Sequence, residues 1–201
     1  MSLQQKMPEF TFDAINHRYY LDGRYLPNIS RIIRPLQSIE FFTEAGRDRG
    51  TDVHNAISNY TLGHSIILAT EYMGYLDAYI LFCRDHGYES ILTESPLYHR
   101  AGLWAGTPDQ YGLMRGRDAA CFEVKTGAHH PAHAIQTAAQ SELIASNGHK
   151  RPGLRFTLQL KSDGCYAIHM HKGHSDLSVF NALLTAWRWA NNHNIQIGEI
   201  E

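Results

Sequence analysis

The chain of 201 residues is long enough to bury one substantial hydrophobic core, and 43% apolar with 19% charged residues is a globular composition. A formal charge of -2 excludes a nucleic-acid binder that works by bulk charge alone, although clustered arginines would be hidden in that total. Cys83, Cys121 and Cys165 are odd in number and far apart, which argues against a disulfide framework or a four-cysteine metal cluster and for a reducing compartment.

No apolar run approaches the ~20 residues of a membrane span. The opening Met1-Ser2-Leu3-Gln4-Gln5-Lys6 lacks the apolar segment of a secretory signal, so a cytoplasmic protein is expected. Residues 17–28 read as a β-hairpin turning at Asp22-Gly23, with Ser30 placed to cap a short helix. A helical segment is expected from Pro35 to about Ala45, then an interruption at Gly50 and a second helix from Thr51 to Tyr60. Apolar residues at helical spacing predict a helix over 66–86, closed by Gly87. Extended segments follow at about 90–95, 97–104 (continuing beyond Gly106) and 119–125, with a turn between Gly112 and Gly116. A helix from Pro131 to about Ala145, strands at 155–160 and 165–169, and a helix at 176–192 complete the order. Helix, three strands, helix, two strands, helix without a Pro/Gly/Ser-rich linker predicts one α/β domain over 1–201, a central mixed β-sheet flanked by helices.

The chemistry concentrates in Gly106-Thr107-Pro108-Asp109 and in Glu123-Val124-Lys125. Side chains two apart on a strand share a face, so Glu123 and Lys125 stand together. A carboxylate can hold Mg²⁺ or Mn²⁺, and an ammonium beside it can orient water or offset charge on an attacked phosphate. Asp109 would supply a second carboxylate, with Pro108 limiting the backbone before it. The plainer reading is a turn aspartate and an ordinary ion pair. Glu94 lies beside apolar neighbours on the preceding strand, where a carboxylate needs a partner. Gln136 and Gln140 share one helix face. Arg49, Arg100, Arg115, Arg117 and Arg155 are candidate phosphate contacts. Trp104 could stack on an end base, though core packing is the plainer role. His129, His130 and His133 carry an alternative, a phosphohydrolase acting on small esters.

Taken together, Gly106–Asp109, Glu123–Lys125, Gln136 on the next helix and Arg49-Gly50-Thr51-Asp52-Val53-His54 upstream resemble the PD-(D/E)XK nuclease superfamily in its RecB-like exonuclease branch. The resemblance covers roughly residues 17 to 190; phage recombination exonucleases and the mitochondrial genome maintenance exonuclease are of this kind. It implies a restriction-endonuclease-like core and metal-dependent hydrolysis of DNA, in recombination, repair or phage DNA processing. Asp109, Glu123, His54 and the carbonyl of Val124 would then hold the metal, Glu94 would complete the site, Lys125 would be the catalytic lysine, and Gln136 would belong to the machinery. An imidazole among oxygen ligands tilts the choice toward Mn²⁺. The chain departs from the pattern at Gln140, where the usual Gln-x-x-x-Tyr has tyrosine, and in lacking the cysteines of the cluster-bearing subgroup. The resemblance also suggests a single-strand annealing protein as partner. A homo-oligomeric ring around DNA would explain processivity without a basic total charge. An endonuclease of the same fold and a non-catalytic DNA-binding or assembly module are the competing classes.

Overall fold

Asp22 and Gly23 both adopt left-handed backbone, with φ of 49° and 75°, which is the geometry that reverses a tight hairpin. They join β2 (Arg18–Leu21) to β3 (Arg24–Leu26), and β1 (Phe10–Asp13) adds a third antiparallel strand that the sequence pattern did not reveal. The computed structural model describes residues 8–37 and 43–195. The cap of helix α1 (Ile29–Ile33) is Asn28 rather than Ser30, since Asn28 Oδ1 accepts the Arg31 N–H at 2.8 Å.

Residues 38–42, the middle of the helical segment expected after Pro35, lie outside the described residues. Helix α2 (Glu44–Thr61) starts at the Thr43 cap and runs unbroken through Gly50. A glycine costs a helix interior only about 1 kcal/mol, and the continuous helix carries Val53, Ala56 and Ile57 into the core. A Cβ at Gly50 would meet nothing within 4 Å. Gly50→Ala is therefore expected to stabilise the protein by about 0.5–1 kcal/mol, read as a higher urea midpoint at unchanged slope.

Helix α3 spans Met73–His86, shorter than 66–86, because Ala69 is extended and Ile67 stays exposed; Gly87, with φ of 53°, closes it as expected. The expected long middle strand is instead divided. β5 (Leu97–His99) and β6 (Trp104–Gly106) fold on each other, while β4 (Tyr88–Thr93), β7 (Gln110–Met114) and β8 (Asp118–Lys125) form an antiparallel meander. Helix α4 (Ala132–Ser146) then crosses over to β9 (Leu154–Leu160), parallel to β8, and β10 (Tyr166–Met170) and helix α5 (Asp176–Asn192) follow.

The five-stranded order is β10-β9-β8-β7-β4. Strand alternation sends Phe122 and Val124 toward α2 and α3, where they pack with Val53, Tyr79, Phe82 and Phe156. Cys121, on the opposite side of β8, packs with Ile144 of α4, and Glu123 shares that side. A second core joins α1, α4 and α5 through Ile29, Ile33, Leu143, Phe180 and Leu184. A mixed sheet between helical layers is the restriction-endonuclease-like α/β arrangement, and it leaves the C-terminal end of β8 as the place where the two layers' polar residues can meet.

Candidate metal centre

Pro108 leads directly into Asp109, the residue before β7, and the backbone N–H of Val124 donates to Asp109 Oδ2 at 2.9 Å. The loop is pinned from the N-terminal sheet: the Tyr19 hydroxyl lies 2.8 Å from Thr107 Oγ1 and 3.0 Å from His17 Nε2. Glu94 falls one residue beyond β4, not on it. Its φ of 43° is strained for a side chain with a Cβ, and its N–H donates to the Asp109 carbonyl at 3.1 Å. That bend, rather than strand alternation, turns the Glu94 carboxylate toward α2.

His54 meets it there. Its Nδ1 is 2.7 Å from Glu94 Oε1 and 3.8 Å from Asp109 Oδ2, and its Nε2 is 3.0 Å from the Val124 carbonyl. Both ring nitrogens face acceptors, so the ring donates twice and is an imidazolium. Burial by itself would lower the His54 pKa. Asp109 and Glu94 outweigh burial and raise it to about 9. Potential ligand atoms of His54, Glu94 and Asp109 lie within 4.8 Å of one another.

Glu123 is fully buried alongside. Lys125 Nζ donates to its Oε2 at 2.6 Å, and Gln140 Nε2 donates to its Oε1. Burial would raise the Glu123 pKa, but Lys125 and Gln140 overcome it and hold the carboxylate ionised; Lys125 is in turn held charged by Glu123 and Asp109. Asp109 is pushed well above the usual carboxylate range, first by burial and then by Glu123. The carboxylates of Glu94 and Asp109 and, once a cation displaces a proton from its ring, the imidazole of His54 form a donor set that fits a divalent cation, with Glu123 and the Val124 carbonyl alongside.

Gln140 is the site residue that sequence reasoning left in doubt. The Cys121 thiol donates to Gln140 Oε1 across 3.6 Å, which orients the amide so that its NH₂ faces Glu123. Gln136, one turn earlier on α4, is half-buried and makes no side-chain hydrogen bond among the described residues. Of the arginines singled out, Arg49 approaches the site, donating to Thr126 Oγ1 at 3.3 Å with its guanidinium over Tyr75. Arg155 is committed to Asp176 at 2.9 Å and to two carbonyls, and Arg117 to Asp118. Trp104 is buried between His99 and Phe180. Unforeseen is a cavity of about 480 Å³ lined by Arg18, Arg31, Arg34, Arg47 and His17. His17 is joined through the Tyr19 hydroxyl to Thr107, two residues before Asp109, so this basic cavity adjoins the acidic cluster.

No family model matches the chain, and no curated protein matches it. Among solved structures, the alkaline exonuclease LHK-Exo from Laribacter hongkongensis is similar at a TM-score of 0.46 and 16% identity, over 84% of this chain and 89% of that one. Its complex with dAMP gives 0.44 and 14% over the same shares. A likeness this shallow carries nothing about chemistry, which rests on the residues themselves.

The His54 imidazolium has a consequence for stability. Its folded pKa of about 9 exceeds the ordinary 6.5, so the stability it contributes is complete below 6.5 and is lost as pH rises through 9. In EDTA the protein is expected to lose up to about 3 kcal/mol between pH 7 and 10 by urea unfolding. His54→Gln is expected to flatten that part of the profile; an unchanged slope would place the titration elsewhere.

Proposed function

We propose that the protein is a divalent-metal-dependent deoxyribonuclease, with DNA exonuclease as the specific activity. The observation that carries the reading is the convergence of His54, Glu94 and Asp109 beside the Glu123–Lys125 pair. His54, Glu94, Asp109, Glu123 and the Val124 carbonyl would hold Mg²⁺ or Mn²⁺, the nitrogen donor favouring Mn²⁺. Bound there, such an ion supplies Lewis acidity toward a phosphate oxygen and lowers the pKa of water.

The chain's own groups divide the remaining work. Lys125, held charged, is a donor to a phosphate oxygen or an attacking water and a poor proton acceptor. Gln140 holds Glu123 in place through the amide that Cys121 orients. Gln136 would act from the same helix face. The arginine-lined cavity and Arg49 supply the positive surface that the total charge of -2 conceals, and phosphodiester backbone is the chemistry they suit. Exonuclease over endonuclease and a single-strand annealing partner follow from the sequence resemblance; a single nuclease domain over the whole chain follows from the lack of a Pro/Gly/Ser-rich linker, and a homo-oligomeric ring would explain processivity without a basic total charge.

The test is a time course on linear and circular, end-labelled DNA in Mg²⁺, Mn²⁺ and EDTA. Metal-dependent loss of linear DNA from its ends is expected. Cleavage of closed circles would convert the assignment to endonuclease. Binding without hydrolysis in either metal would leave a non-catalytic DNA-binding module.

A further inference from the structure

Five histidines outside the metal cluster gather next to it. His129 and His130 lie between β8 and α4, His133 is on the first turn of α4, and His169 and His171 lie at the end of β10 and just after it. The exposed His129 ring stacks on His169, with centroids 4.4 Å apart and planes 24° apart. It meets His133 edge-on at 5.5 Å and lies 5.8 Å from His171. Buried His133 lies two turns before Gln140 on α4, the residue whose amide donates to Glu123.

The hydrogen bonds limit what this group can hold. His133 Nδ1 accepts the His130 N–H at 3.3 Å, and His130 Nδ1 accepts the Ala132 N–H at 3.1 Å, so each neutral ring carries its proton on Nε2. Gln159 donates its amide to the Gly127 carbonyl at 2.9 Å, which leaves its Oε1 to accept from His169 Nε2, also at 2.9 Å. His171 is engaged on both nitrogens by Thr137 and Thr157. A metal needs converging lone pairs, whereas His130, His133 and His169 offer N–H groups at Nε2. Burial, reinforced by neighbouring charges, keeps His129 below its ordinary pKa and draws His133 down to about 3 and His171 to about 4, so these three rings are neutral at pH 7.

We propose that His129, backed by His169, is a stacking platform for one unpaired nucleobase of the strand whose phosphate lies at the metal centre. The Nε2–H of half-buried His130 would donate to the adjoining phosphate or base edge. A base inside a duplex already has neighbours on both faces, so an exposed ring selects a base that has left the stack. The assignment therefore makes a single-stranded or frayed DNA end the form that reaches the site. It rests on the nuclease reading for the identity of the strand.

The test is anisotropy of short single-stranded oligonucleotides with one abasic nucleotide walked along them, in EDTA and in Ca²⁺, for the parent, His129→Ala and His129→Phe. The parent is expected to lose about tenfold in affinity at one position, the size of one base–aromatic stack. His129→Ala is expected to bind the intact strand about tenfold more weakly and to ignore that position; His129→Phe is expected to keep the parental profile. A profile that is flat in the parent, or unchanged in His129→Ala, overturns the platform, as does absence of any binding. So does a Zn²⁺ site that persists in Asp109→Ala and disappears in His129→Ala, since the group would then be a metal site. Binding needs no turnover, so the two readings fail separately. A position-specific loss without hydrolysis in Mn²⁺ removes the nuclease and leaves the platform, whereas hydrolysis with a flat profile removes the platform alone.

Discussion

Replacing Lys125 with alanine is expected to lower DNA hydrolysis by about 10²–10⁴ while DNA and Mn²⁺ binding remain. Lys125 Nζ is 2.6 Å from Glu123, and a charged ammonium has no lone pair to give a cation, so its removal takes away a charge donor rather than the cation's cradle. The same change has a second signature. Glu123 is fully buried, and without the ammonium its carboxylate keeps, among the described residues, only the hydrogen bond from the Gln140 amide. Leaving one partner of a buried pair behind typically costs about 3–5 kcal/mol. In EDTA, Lys125→Ala should therefore melt well below the parent, and Mn²⁺ should recover most of the difference by taking the cation's place beside Glu123. The carboxylate also loses a competitor for metal, so calorimetric Mn²⁺ affinity should be equal or tighter. Near-parental turnover would remove Lys125 from the mechanism. Loss of turnover together with loss of Mn²⁺ binding would give it a structural role instead.

Asp109→Asn is expected to separate stability from activity in the opposite direction. Burial and Glu123 push the Asp109 pKa well above its ordinary 3.8. Its favourable contribution is thus complete at acid pH, below the ordinary value, and is lost as pH rises toward the raised one. At pH 7 and without metal, the parent therefore carries the strain of an uncomfortable carboxylate, and asparagine, which still offers an acceptor to the Val124 N–H, does not. The variant should unfold at a higher urea concentration than the parent in EDTA, and the order should reverse when Mn²⁺ is added, because only the parent gains from binding it. Hydrolysis should fall by at least about 10²-fold, with weaker Mn²⁺ binding measured in the same titration. A variant less stable than the parent in EDTA would mean that Asp109 is a structural carboxylate satisfied by its hydrogen bond and by His54.

The sequence by itself determined the succession of the main helices, the strand that carries Glu123 and the pairing of Glu123 with Lys125, because these are local, though not β1 or the division of the middle strand. Period-2 and period-3.6 patterns are written within a dozen residues, and two side chains on one strand face share a side wherever that strand ends up. Local rules also have local failures. Gly50 reads as a breaker, yet a helix interior tolerates one glycine when Val53 and Ile57 have a core to fill. The apolar residues from Ile66 onward match a helical period, although an extended Ala69 starts the helix only at Met73. Glu94 belongs to a strand by its pattern and to a left-handed bend by its place beside Asp109.

Only the tertiary structure decided which groups meet. The parallel crossover through α4 seats β9 beside β8 and lowers Gln140 onto Glu123, while α2 brings His54 against Glu94 and the Val124 carbonyl from a different part of the chain. The four arginines of the basic cavity come from β2, from α1 and the turn after it, and from α2, and the histidine platform joins the loop after β8 to β10. No spacing within one segment records such meetings, because they depend on how layers separated by tens of residues are stacked. The protonation states depend on it as well. His54 becomes an imidazolium and Asp109 a reluctant acid because burial removes water from both while bringing their charges together, and neither burial nor proximity is a property of the residue alone.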